Sequence, residues 1–176
     1  MPKTTMVNVV LKEGNLSFSF TGVEFAEKYD DWQYYRTVFQ RYCGPAKAVD
    51  FIVAKGDTLW LIEVKDYRTN RRKKKIDIAD EVCAKVKDTL AGLASASFVA
   101  VDDRERKTAC EALAKTKLVV AFHLEQPANP SRLFPTSFNL ANVKLKLKQK
   151  LKFADAHPKL IDRNSFPAGL GTVSSV

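Results

Sequence analysis

Three charged residues interrupt two apolar runs in AVDFIVAKGDTLWLIEVKDYR, residues 48–68: Asp50, Glu63 and Lys65. Two carboxylates and an amine, if brought together, are equipped for phosphodiester hydrolysis. Hard carboxylate oxygens suit Mg2+ or Mn2+. A metal held there would polarise a phosphoryl oxygen and acidify a bound water. The lysine would orient or help deprotonate that water, or stabilise the developing negative charge.

Turn chemistry predicts how the three are positioned. Gly56-Asp57 lies between the two apolar runs and reads as a two-residue hairpin loop, with glycine at the first central position of a type II′ turn. Lys55 then pairs with Thr58, and that register sets Asp50 directly opposite Glu63. Lys65, two residues on, projects from the same face as Glu63. Both faces of the hairpin are apolar near the turn, which predicts interior strands. Directly opposed like charges destabilise a sheet by up to about 1 kcal/mol even when exposed, and burial adds to that. Either a bridging cation or Lys65 must offset it. The plainer alternative is a strand-edge ion pair between Glu63 and Lys65, with Asp50 as a strand-start cap.

The remaining elements follow from periodicity. Residues 7–12 and 16–20 flank Glu13-Gly14-Asn15 as a hairpin. Residues 23–42 read as a helix, at least from a cap at Asp30 or Asp31, ending at Gly44-Pro45. Ile78, Val82, Val86, Leu90 and Leu93 mark an amphipathic helix. Residues 97–101 (SFVAV) read as a strand, 104–115 as a helix and 117–125 as a buried strand. Residues 137–153 fit a helix, although VKLKLKQKLKF also alternates, and 159–163 read as a last short strand. The expected architecture is α/β, a mixed central sheet flanked by helices. Residues 1–168 would form one domain, and 169–176 a frayed tail.

The 176 residues suffice for a sizeable core, and no apolar run is long enough to span a membrane. The N-terminus lacks the apolar core of a signal peptide, so the expected location is the cytoplasm. A net charge of +9 favours polyanionic partners, nucleic acid first. The block Arg71, Arg72, Lys73, Lys74 and Lys75 is either a solvated loop or a phosphate clamp, and its place just after the acidic pair favours the clamp. Cys43, Cys83 and Cys110 read as small, mostly buried thiols in a reducing compartment, with no metal-binding spacing. Trp32, Tyr34 and Tyr35 read as packing residues, and His123 as a core or sheet-edge histidine.

Asp50 followed by Glu63-Val64-Lys65 on the next strand resembles the PD-(D/E)XK nuclease superfamily, with a spacing similar to small Holliday junction resolvases. Val49 stands where the family name has proline. The resemblance covers mainly residues 45–68. It implies a restriction-endonuclease-like fold and a Mg2+-dependent endonuclease acting on DNA, often as a homodimer. It further implies that Asp50, Glu63 and the Val64 backbone carbonyl bind the metal and that Lys65 is catalytic. A glutamate of the preceding helix, Glu24 or Glu27, would complete the site. Two rivals remain: a nucleic-acid-binding domain of this fold without activity, and a subunit whose basic face docks an acidic protein.

Overall fold

A computed structural model describes residues 5–70, 72–133 and 138–176. The fold is α/β, as expected. Two sheets pack face to face, and helices cover the outer face of the larger one. The smaller sheet is antiparallel, in the order β1 (Val7–Glu13), β2 (Leu16–Val23), β8 (Gly171–Ser175). The larger is mixed. β3 (Phe25–Lys28), β4 (Phe51–Lys55) and β5 (Thr58–Asp66) run antiparallel, and β6 (Lys117–Glu125) and β7 (Lys159–Ile161) add parallel to β5. The helices are α1 (Gln40–Tyr42), α2 (Ile78–Val99), α3 (Asp103–Leu113) and α4 (Leu140–Lys150). The three longer ones start on side-chain caps, Asp77, Asp102 and Asn139, each accepting from a backbone N–H of the first turn.

The β4–β5 hairpin is buried on both faces because it lies between these layers. Phe51, Val53, Ile62 and Val64 meet Leu16, Phe18 and Phe20 of the smaller sheet. Ile52, Ala54, Leu59 and Leu61 lie under the helices with Val82, Val86 and Leu93 of α2. Strand alternation therefore sends Asp50, Glu63 and Lys65 to the helix-covered side.

Three expectations are corrected. Residues 25–28 form a strand, not the start of a helix. Glu, Ala and Lys favour helix locally, but the open edge of β4 offers a full set of backbone hydrogen bonds from Phe25–Ala54 to Lys28–Phe51, and the tertiary pairing wins. A 3-10 turn, Tyr29–Asp31, and a π-turn, Tyr35–Phe39, follow before α1, so the helical part of this segment is short and irregular. Residues 97–101 are the last turn of α2 and its exit, not a strand; Phe98 and Val101 stay exposed while the helix stripe continues through buried Ala96 and Ala100. The C-terminal residues 171–175 are the paired strand β8 rather than a frayed tail. Their side chains are mostly polar, so the strand is held chiefly by its backbone ladder. Gly171, at φ +152°, has no room for a Cβ beside the Ser19 carbonyl.

Gly92 is a packing glycine in α2. A Cβ there would fall on the hydroxyl of Tyr29, a wholly buried ring whose OH lacks a hydrogen-bond partner among the described residues. Alanine is the better helix former by about 1 kcal/mol, yet Gly92→Ala is expected to destabilise the protein by about 2 kcal/mol through overpacking. Adding Tyr29→Phe should recover most of that loss, because it removes the obstructing atom and an unsatisfied hydroxyl. Urea midpoints of the two single variants and the double variant check this; a double variant no better than Gly92→Ala refutes it.

Candidate functional site

The hairpin turn has the expected form. Gly56 has φ +61°, no non-glycine residue among those described has positive φ, and the register runs from Lys55–Thr58 to Phe51–Ile62. Asp50 sits just before β4, next to the end of that ladder. Its Oδ2 accepts from the Val64 N–H at 2.7 Å, so it also closes the end of the hairpin. Glu63 is fully buried and Asp50 is 6% exposed. The Lys65 ammonium donates to Glu63 Oε1 and, at 3.1 Å, to the Val64 carbonyl. Asp50, Glu63, Val64 and Lys65 thus meet at one point.

A fourth side chain joins them, and sequence reasoning missed it. Lys85 of α2 brings its Nζ to 2.8 Å from the Glu63 carboxylate and 3.6 Å from Asp50 Oδ1. It belongs to a polar i, i+4 stripe beside the apolar one on α2. Glu81 binds Arg72 and Lys74 at 2.9 and 2.5 Å, and the Thr89 hydroxyl accepts from the Val49 N–H at 3.0 Å. The stripe Glu81, Lys85, Thr89 could have been found in the sequence, since its positions flank Val82 and Val86 at helical spacing. The cluster borders a cavity of about 380 Å3 lined by Asp30, Tyr35, Lys47, Lys74, Glu81 and Lys85.

The electrostatics divide the carboxylates into two kinds. Burial pushes Glu63 up to about 7; Asp50 adds to this, and Lys85 and Lys65 offset only part. Burial also acts on Glu81, but hydrogen bonds from Lys74 and Arg72 and the charge of Lys65 outweigh it, bringing Glu81 down to about 2. Asp30 is raised by burial and then by Asp50, and its Oδ1 has no hydrogen-bond partner among the described residues. Burial would lower Lys65, but Glu63 and Asp50 outweigh it and raise the amine. An ammonium held that firmly can attract an anion.

The expected metal seat does not fit as arranged. Its donor oxygens converge and are hard, but Lys65 and Lys85 already lie on Glu63, Asp50 and the Val64 carbonyl. Among the described residues, no group of three or more Asp, Glu, His or Cys is placed to hold an ion. Glu24 is not a neighbour either. Its N–H binds the Ala54 carbonyl, about four residues or ~13 Å along the strand from Asp50. Its carboxylate accepts from the Gly56 N–H and faces Lys115. Glu27 holds the Trp32 indole and Arg104. Glu24 lies in the bend between β2 and β3 and Glu27 on β3, not on a helix, and neither reaches the cluster.

The basic block is also different from a clamp. Arg71 lies outside the described residues. Arg72 points inward, with its side chain 9% exposed, to the Tyr67 hydroxyl, the Ile76 carbonyl and Glu81, and it lies over the Phe138 ring. Lys73, Lys74 and Lys75 are all exposed, and Lys74 reaches back to pair with Glu81. His123 is a core residue, bound to Glu125 at 3.0 Å with its ring against Phe18. Trp32, Tyr34 and Tyr35 are buried as packing residues. Cys43 and Cys110 are exposed and Cys83 is partly so, packed against the edge of the core, which corrects the expectation of mostly buried thiols. No helix among the described residues is long and apolar enough to cross a membrane.

No family model matches the chain, and no solved structure matches it. It is similar to a cysteine–tRNA ligase from Neisseria meningitidis serogroup A, 30% identical across 82% of this chain. The chain spans about a quarter of the length of that curated relative. This similarity is to a ligase that acts on tRNA, not to a hydrolase, and it overturns the expectation of a metal-dependent endonuclease.

Proposed function

We propose that the chain is an RNA-binding unit in aminoacyl-tRNA metabolism, holding tRNA by its phosphate backbone. The observation that carries this reading is the 30% identity to a cysteine–tRNA ligase over most of the chain. The charge distribution supports it. Asp50, Glu63 and Glu81 are matched by Lys65, Lys85 and Arg72 inside the fold and by Lys74 at its surface. The +9 net charge is therefore carried largely by other, outward-facing cations, as phosphate recognition requires. On this reading the core is a restriction-endonuclease-like sheet whose acidic pair has become a neutralised structural cluster.

Fluorescence anisotropy with a labelled tRNA transcript, duplex DNA and polyglutamate tests the reading. At about 50 mM salt, tRNA is expected to bind at least ~10-fold more tightly than duplex DNA of equal length, with affinity falling steeply as salt rises. No tRNA affinity at low salt, or equal affinity for DNA, sinks it. Tighter binding of polyglutamate would favour an acidic protein partner instead.

A further inference from the structure

The free cations have an address. In α4, the buried stripe Val143, Leu147, Leu151 faces the core, and lysines flank it on both sides. Lys146 and Lys150 fall on one side and pair with Asp77 and Asp80 of the α2 N-terminus, each at 2.5 Å. Lys144 and Lys148 fall on the other side, and neither has an ion-pair partner among the described residues. They line a cavity of about 600 Å3 between α4 and β7, the edge strand of the larger sheet. Lys159 on β7 lines the same cavity, also unpaired among the described residues. His157 stands beside it, Pro158 and Leu160 give an apolar floor, and among the described residues no acidic one lines it.

We infer that this groove takes a single-stranded stretch of RNA, with phosphates along Lys144, Lys148 and Lys159 and a base on the apolar floor against His157. The inference rests on the RNA-binding reading above and says where and in what form the RNA is held. Lys144 and Lys148, four residues apart, rise about 6 Å along the helix, a spacing similar to that of successive phosphates in a strand. The volume is that of a small-ligand site, enough for an unstacked base. Duplex RNA presents phosphates on a convex surface and keeps its bases stacked, so it would leave the floor unused. An acidic peptide would answer the lysines but has no use for an apolar floor beside an imidazole.

The test is anisotropy of the full chain with labelled oligouridylate, a tRNA transcript and a duplex RNA. The variant Lys144→Gln/Lys148→Gln/Lys159→Gln is expected to bind oligouridylate and tRNA about 50- to 100-fold more weakly near 0.1 M salt. It should also lower the slope of log affinity against log salt by about 2. Lys146→Gln/Lys150→Gln removes two charges, against three, from the paired side and should lose less than about threefold. His157→Ala should lose about fivefold with the slope unchanged, because stacking releases no counterions. Circular dichroism melts confirm that each variant is folded. If the wild type binds tRNA but the triple variant stays within about threefold of it, or the paired-side control loses as much, the groove is wrong while the RNA reading stands. Duplex RNA binding as tightly as oligouridylate, or displacement of oligouridylate by polyglutamate at equal charge, overturns the single-stranded occupant. A wild type without RNA affinity overturns both readings.

Discussion

Glu81→Ala is expected to destabilise the protein by about 3–5 kcal/mol at neutral pH, the loss that follows when one partner of a buried ion pair is removed. Glu81 is 1% exposed, and its partner Arg72 is nearly as buried. With the carboxylate gone, the guanidinium keeps the Tyr67 hydroxyl, the Ile76 carbonyl and the Phe138 face, but no anion. The glutamate also sits in the first turn of α2, where a negative charge complements the helix dipole. Its folded pKa, about 2, lies below the ordinary 4.5. The stabilisation is therefore fully present above pH 4.5 and is lost as pH falls toward 2. Urea denaturation of wild type and variant should show a gap that is constant from pH 5 to 7 and narrows in acid. Glu81→Gln, which keeps the shape and loses the charge, should fall between the two. A gap below about 1 kcal/mol, or one that does not change with pH, would mean that Arg72 is held by its other contacts.

Glu81 was not among the residues the sequence singled out, because the partners that give it its role come from a different segment of the chain. Asp50, Glu63 and Lys65 were legible because a two-residue turn fixes register, and register fixes faces. The turn at Gly56-Asp57, strands β4 to β6 and helices α2 to α4 follow from period and punctuation alone. What was not legible depends on contacts distant in sequence. Nothing near Glu24 says that residues 25–28 will pair with β4, so a helix was the natural reading of that segment. Nothing in GLGTVSSV says that the edge of β2 is waiting for a strand. Lys85 is an unremarkable helix lysine until the docking of α2 places it over Glu63. The cations nearest the acidic pair were the obvious candidates for phosphate binding, yet Arg72 and Lys74 are held by Glu81. The lysines of α4 read in sequence only as part of an alternating basic run, with nothing to separate the paired ones from the others. Sequence shows charges; only the fold shows which of them are already matched.

Glu63 should give the opposite pH signature to Glu81. Its folded pKa is raised to about 7 from an ordinary 4.5, so between those values the folded state holds a proton that the unfolded state releases. Its favourable contribution is full below pH 4.5 and is lost as pH rises through 7, up to about 3 kcal/mol at 1.36 kcal/mol per unit. The cause is burial of the carboxylate under α2 beside Asp50, only partly relieved by Lys85 and Lys65. Glu63→Gln holds the neutral form at every pH and should flatten this decline. The variant is expected to be no more stable than wild type at pH 5 and to equal or exceed it at pH 8. Denaturation midpoints across that range provide the measurement, with Asp50 left intact so that Lys85 keeps an anionic neighbour. If Glu63→Gln instead loses several kcal/mol at pH 8, the two ammonium groups need the Glu63 charge more than the site resists burying it. Attraction to the lysines would then outweigh desolvation, and the cluster would be a genuine ion-pair keystone rather than a carboxylate tolerated under strain.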